Sequence, residues 1–169
     1  MKTFFELVDL KRMLQVWRLA NNRIVFTNGC FDILHEGHVT YLQEAKKLGH
    51  RLVIGLNTDA SVKRQGKGDD RPINNEHARA VVLGALRSVD AVVFFDEDTP
   101  FDLIAQLTPE VLVKGGDYDA EETNTDAKTY IVGANETKAR NGEVSTIPLV
   151  PNASTTGTIQ KIKIADGKS

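Results

Sequence analysis

Residues Thr27 to His38 read Thr-Asn-Gly-Cys-Phe-Asp-Ile-Leu-His-Glu-Gly-His, which puts two imidazoles, His35 and His38, three positions apart at the mouth of a helix. Side chains at that spacing share one helical face. Backbone amides of a first helical turn have no partner inside the helix, and the positive end of its dipole attracts anions. Imidazole donors beside them, with Gly37 allowing close approach of a backbone, make a phosphate-binding arrangement. Neither common nucleotide fingerprint is present: no G-x-G-x-x-G follows the strand, and no G-x-x-x-x-G-K-[ST] occurs. Dehydrogenase and P-loop chemistry therefore lose their main support. Zinc held by Cys30, His35 and His38 would leave an open coordination position, but Cys-x4-His-x2-His matches no common zinc spacing. Cys30 has no evident partner base and reads as a small residue packed at a strand end.

The elements that must position these groups alternate along the chain. A helix starting near Asp9 places Leu10, Met13, Leu14 and Trp17 on one face. Strand 23–27 is buried and β-branched, with Asn28-Gly29 as its turn; helix Gly37–Leu48 follows, stopped by Gly49 in a left-handed cap. Strand 51–56 leads into a polar stretch, 57–74, long enough to be a lid. Helix 75–87, strand 90–95, helix 100–107 with Pro100 in its first turn, and strand 110–114 continue the pattern. Residues 115–130 give no clear period; a short helix at 132–140, strand 143–149 and a last helix capped by Ser154-Thr155-Thr156 complete the chain. Five strands interleaved with helices predict an α/β fold, an open, doubly wound, five-stranded parallel sheet of Rossmann-like type. We expect one domain over 1–169, with a helical segment 1–22 and an α/β core 23–169. Its ligands belong beyond the carboxyl ends of the strands, near the switch point.

Composition narrows the function. At 169 residues the chain has enough core to fold without staples, and one cysteine gives no intrachain disulfide, which suits a cytoplasmic location. A net charge of −2 carries no basic field for nucleic acid. Lys2, Glu6 and Asp9 interrupt the apolar amino terminus, and no apolar run reaches membrane-spanning length. Small-molecule partners remain the expectation, with no nucleic acid and no membrane. The apolar face of the first helix would pack within the domain or in a homo-oligomer.

The block from Thr27 to His38, with Gly29-Cys30-Phe31-Asp32 before His35-Glu36-Gly37-His38, resembles the signature of the cytidylyltransferase-like nucleotidyltransferases. Agreement extends through Asn57-Thr58-Asp59, Arg71-Pro72, Arg79, Lys114-Gly115-Gly116-Asp117 and Ser154-Thr155-Thr156. Within that superfamily, Arg71-Pro72-Ile73-Asn74, Val82-Leu83-Gly84-Ala85-Leu86, Asp98-Thr99-Pro100 and Val113 to Tyr118 most resemble heptose 1-phosphate adenylyltransferases in a stand-alone form.

The resemblance implies transfer of AMP from ATP to heptose 1-phosphate, giving ADP-heptose for lipopolysaccharide cores, with Mg2+ as the phosphate counter-ion. It implies catalytic roles for His35, His38, Lys67 and Arg79. It further implies nucleotide contacts from Asn28, Gly29, Cys30, Phe31, Gly37, Asn57, Arg71, Lys114, Gly116, Asp117, Ser154, Thr155 and Thr156. Relatives commonly carry a basic residue shortly before the final Ser-Thr motif, whereas Glu143 to Ser154 contains no Lys or Arg. Either Arg71, Lys114 or a neighbouring subunit then supplies that charge, or the nucleotide sits differently from the cytidylyl case. Cytidylyl transfer to glycerol 3-phosphate or an alkanolamine phosphate, and a nucleotide sensor without turnover, are the competing functions.

Overall fold

The computed structural model describes residues 5–66, 71–116, 118–151 and 153–166. In chain order the elements are α1 (Leu7–Leu19), β1 (Ile24–Gly29), α2 (Glu36–Lys47), β2 (Arg51–Asn57), α3 (Asp59–Arg64), α4 (Glu76–Gly84), β3 (Ala91–Phe95), α5 (Phe101–Leu107), β4 (Val111–Gly115), α6 (Ala134–Ala139), β5 (Glu143–Ile147) and α7 (Thr155–Asp166). The five strands pair in the order β3-β2-β1-β4-β5, every pair parallel. The sheet is thus wound in both directions from β1, and the switch point lies between β1 and β4.

Alternation along each strand divides the core into two layers. Ile24 and Phe26 of β1 face a cluster with Leu10 and Leu14 of α1 and Leu103, Ile104 and Leu107 of α5. Val25 faces the other way, into a cluster with Leu42 and Ala45 of α2 and Ala80 and Leu83 of α4. Both faces of the central strands are covered, which explains why their sequences read as unbroken apolar runs. Trp17 packs at the edge of the first cluster, with the Arg51 guanidinium 5.2 Å from its ring centroid. The first helix therefore belongs to the layered core.

Several sequence expectations are corrected. Asp9 lies in the first turn of α1, which begins at Leu7 after Glu6. Asn28 and Gly29 do not turn; they stay in β1, in register with Gly55 and Leu56 of β2. The stretch 57–74 is not all loop: Thr58 Oγ1 accepts from the Ser61 amide at 3.1 Å and caps α3, whose Ser61 and Val62 are buried. Surrounding charges hid that turn of helix from a periodicity reading. Residues 67–70, the part left for a lid, lie outside the described residues.

Gly49 follows α2 for a different reason from the one expected. It is absent from the left-handed glycines Gly66, Gly116 and Gly133. A Cβ there would lie 2.6 Å from Val25 Cγ2 and 2.8 Å from the Arg23 carbonyl oxygen. Close approach of the α2 exit to the start of β1, not backbone conformation, demands glycine. Gly49→Ala is expected to lower unfolding free energy by about 1–3 kcal/mol, read from urea denaturation midpoints at unchanged slope.

Candidate active site

The carboxyl ends of β1 and β4 open into a cleft of about 320 Å3 at the switch point. Its floor is the end of β1 from Asn28 to Phe31, and one wall carries His35, Gly37 and His38 at the start of α2. Lys114 and Gly115 at the end of β4 form another wall, and Ser154 and Thr155 at the start of α7 close the third. A polar annex of about 400 Å3 shares Cys30, Phe31, His38 and Thr155 with it and adds Asp32, Arg71 and Thr156.

Local structure explains why the imidazoles face this space. His35 is the N-cap residue of α2, in extended conformation and with no side-chain cap bond. The Glu36 and Gly37 amides are consequently left without intrahelical acceptors. The His35 and His38 rings stack with centroids 3.9 Å apart and planes 27° from parallel, and Phe31 meets His38 edge-on at 5.3 Å. Gly37 packs tightly there: a Cβ would lie 3.1 Å from the His35 ring and 3.0 Å from Ala153 Cβ. Nδ1 of each histidine is buried with no hydrogen-bond partner, as is Asn28 Oδ1. Folded proteins seldom leave such atoms unpaired, so three of them in one cleft point to a ligand.

Burial, and then the charge of His35, push the His38 pKa down to about 4; burial lowers His35 as well. Both rings are therefore neutral at neutral pH in the free protein. Among the described residues no group of three His, Cys, Asp or Glu is placed to hold a metal. The zinc alternative has no geometry to support it.

Asp32 is a brace. Its buried carboxylate accepts from Arg71 Nε at 2.6 Å and from the Ile73 and Asn74 amides at 2.9 and 2.8 Å, and its carbonyl accepts from Asn74 Nδ2 at 2.9 Å. Arg79 corrects the sequence expectation. Its side chain is buried and lines neither the cleft nor the annex, donating instead to the carbonyls of Cys30 at 2.6 Å and Asn74 at 3.0 Å and to Asp59 at 2.7 Å. Each of its three nitrogens makes a hydrogen bond that holds the end of β1 against α3 and the entry to α4, away from the cleft lining.

The other expected residues divide clearly. Asn28, Gly29, Cys30, Phe31, His35, Gly37, His38, Lys114, Ser154 and Thr155 line the cleft; Arg71 and Thr156 line the annex. Ser154 Oγ accepts from the Gly157 amide at 3.0 Å and caps α7, so its hydroxyl is partly committed to the helix. Asn57 is buried, donates to Ser61 at 3.0 Å and borders a separate cleft across β1. Gly116 adopts φ +87° beside Leu149 and lies behind the cleft wall. Lys67 and Asp117 lie outside the described residues.

Sequence reasoning passed over Tyr41, Tyr118 and Leu149, which also line the cleft. Tyr41 stands three residues after His38 on α2, so helical spacing alone would have found it. Its hydroxyl shares a 2.6 Å hydrogen bond with Thr27 and donates to the Val113 carbonyl at 3.3 Å, joining α2 to β1 and β4 beneath the site.

Two stability measurements test this account. Asp32→Ala would leave a buried guanidinium and two amides without acceptors and is expected to cost about 3–5 kcal/mol in chemical denaturation. His38 binds its proton near pH 6.5 when unfolded but only near pH 4 when folded, so unfolding takes up a proton between those values. Its contribution is complete above pH 6.5 and is lost as pH falls towards 4. His38→Asn should therefore lose less Tm than the native chain between pH 7 and pH 4.5; equal losses would mean the ring is already solvated.

Residues 26–160 match the cytidylyltransferase-like family. The bifunctional protein HldE of Methylobacillus flagellatus is 51% identical over 154 residues, covering 91% of this chain and 30% of that protein. HldE of Hyphomonas neptunium is 55% identical over 145 residues, covering 86% of this chain and 28% of that one. The chain thus spans less than a third of the length of these relatives. A lipopolysaccharide core biosynthesis protein from Thermoplasma volcanium superposes with a TM-score of 0.57 at 26% identity, over 76% of this chain and 97% of that one. Pantoate-beta-alanine ligase from Francisella tularensis gives a TM-score of 0.60 at 12% identity, over 99% of this chain and 77% of that one, a likeness of fold alone.

Proposed function

The chain belongs to the cytidylyltransferase-like family of nucleotidyltransferases, and from that premise we propose that it transfers AMP from ATP to heptose 1-phosphate, releasing pyrophosphate and forming ADP-heptose. The observation that carries this reading is the stacked His35–His38 pair, its Nδ1 atoms unpaired, at the start of α2 in a cleft on the switch point. The motifs shared with heptose 1-phosphate adenylyltransferases support the acceptor, as does the likeness to a lipopolysaccharide core biosynthesis protein.

The chemistry fits a site with no obvious general base. A phosphate monoester has its second pKa at about 6, so the acceptor arrives largely dianionic. One of its oxygens forms a bond to the α-phosphorus of ATP. The bond from that phosphorus to the α,β-bridging oxygen breaks, and pyrophosphate leaves with the electron pair. What the protein must supply is position and complementary charge for the pentavalent arrangement.

In this reading His35, His38 and the first amides of α2 meet the α-phosphoryl oxygens, and the start of α7 at Ser154, Thr155 and Thr156 meets the outer phosphates. Arg71 and Lys114 are the cations on the annex and cleft walls, and they take the place of the base missing between Glu143 and Ser154. A polyphosphate beside the imidazoles favours their charged form and opposes the depression of the His38 pKa, so binding draws protons towards the pair. The described side chains do not form a cage for magnesium. An ion accompanying ATP would be held by phosphate oxygens and water, and no step is assigned to it. Among the described residues no helix is long and apolar enough to cross a membrane. The need for ATP favours a cytoplasmic reaction.

A pyrophosphate-release assay pairing ATP or CTP with heptose 1-phosphate or glycerol 3-phosphate tests the proposal. Turnover is expected with ATP and heptose 1-phosphate, and activity confined to CTP overturns the assignment. His38→Ala is expected to lower kcat on the order of 100-fold or more with an unchanged circular dichroism spectrum. A matching loss of folded protein would make the ring structural.

A further inference from the structure

The two strands that flank the switch point are tied unequally to their neighbours. β1 stays in register with β2 from Ile24 to Gly29, and β4 stays in register with β5 from Val111 to Gly115. Among the described residues β1 and β4 pair with each other only where Val25 meets Val111 and Phe26 meets Leu112. From Thr27 and Val113 onward each strand is laddered to its outer neighbour, and the histidine cleft opens between the two ends. A backbone bond at that step would draw the strands to about 4.8 Å and close the opening. With no link at all, its width would be left to the loops.

Tyr41 crosses the gap where the ladder stops. Its hydroxyl lies 2.6 Å from Thr27 Oγ1 and donates to the Val113 carbonyl at 3.3 Å. A phenol has one proton to give, so the Thr27 hydroxyl is the donor in the first bond. The chain of bonds from Thr27 through Tyr41 to Val113 stands at the register step next after Phe26 and Leu112. All three residues are buried. Burial raises the phenol pKa against the smaller opposing effect of the Thr27 bond, so the linking proton stays in place at neutral pH. The ring is committed as well. A Cβ at Gly115 would lie 3.1 Å from Tyr41 Cε2, so the ring backs the end of β4 directly after Lys114. Tyr41 also follows His38 by one turn of α2. One side chain thus touches the helix that carries the imidazole, the strand that leads to Asn28 and the strand that leads to Lys114.

We propose that Tyr41 is a positioning residue for the transfer: its hydroxyl fixes how far the end of β4 stands from the end of β1, and so the distance at which Lys114 faces the His35–His38 pair across the cleft. The inference rests on the transferase reading and adds what holds its two walls in place. The hydroxyl is spent on the two strands and acts through Lys114. Phenylalanine would fill nearly the same volume, yet only a hydroxyl both accepts from one strand and donates to the other. Misplacing a catalytic group by about 1 Å costs on the order of 100-fold in rate, so a link that sets this width acts on the reaction and not on the fold alone.

Tyr41→Phe keeps the ring and removes the link. Assayed by pyrophosphate release well below the Tm of either protein, it is expected to lower kcat/KM about tenfold or more. A merely structural role gives a lower Tm with kcat/KM within twofold of the native value, and that result overturns the proposal. The same substitution made in Lys114→Ala is expected to change kcat/KM less than about twofold, because the group it misplaces is already gone. Equal fold-losses in the two backgrounds overturn the proposal. Should Tyr41→Phe not fold, Thr27→Val breaks the link from the other end and is held to the same pair of outcomes. If the native chain releases no pyrophosphate in any of the pairings above, the transferase reading fails, and the link is decided in the free protein by backbone amide resonances. Shifts in Tyr41→Phe at both Asn28–Gly29 and Lys114–Gly115 support it. Shifts confined to α2 overturn it.

Discussion

The end of β1 depends on the buried pair between Asp32 and Arg71. Just beyond the strand the chain must place Phe31 at φ +43°, a conformation unfavourable for a side chain of that size, and then turn so that His35 opens a helix. No regular hydrogen-bond ladder holds such a path. Asp32 supplies the ladder's equivalent, drawing one guanidinium and two backbone amides from the 71–74 segment onto a single carboxylate. Arg79 completes the hold from behind by donating to the Cys30 carbonyl. Two side chains that a motif reading gives to the ligand thus act first on the protein, and only Arg71 of the two arginines also borders solvent-filled space.

That frame makes the imidazole pair possible. Two rings stacked at 3.9 Å, each with a buried unpaired nitrogen, are an unfavourable arrangement for a free protein. They persist because α2 fixes their spacing, Phe31 covers one edge, and Gly37 leaves room for the first ring. The lowered basicity of His38 follows from the same enclosure. Neutral rings and unpaired nitrogens are two sides of one condition, the enclosure of the pair. The strained backbone and the unpaired atoms lie together, as expected where binding rather than folding sets the requirement.

The sheet and most of its helices were legible because apolar period and turn residues agreed along most of the chain. The site was legible through His35 to His38, since a helix start carrying two imidazoles has a chemical meaning before any contact is known. What was not legible depended on long-range contacts. Arg79 stands on the correct helix, yet its direction is set by the carbonyl of Cys30, 49 residues away in sequence. Gly49 marks the end of α2 as expected, but the cause is Val25 on the neighbouring strand. Asn28-Gly29 has the composition of a turn and is held in the ladder by β2.

The segment from 118 to 133 illustrates the same limit from the other side. Its acids, threonines and alanines have no helical or strand period, because its order comes from tertiary docking: Ala120, Ala127 and Tyr130 against the core, and Asn135 back to Thr123. The β1–α2 turn is fixed differently, by polar and ring contacts among its own residues and the 71–74 segment: Asp32 to Arg71, Phe31 to His38 and His38 to His35. At the switch point Asn28 and Gly29 of β1 stand beside Lys114 and Gly115 of β4. Ligands of such sheets bind where strand ends are left uncovered at a switch point, and the histidine cleft opens there.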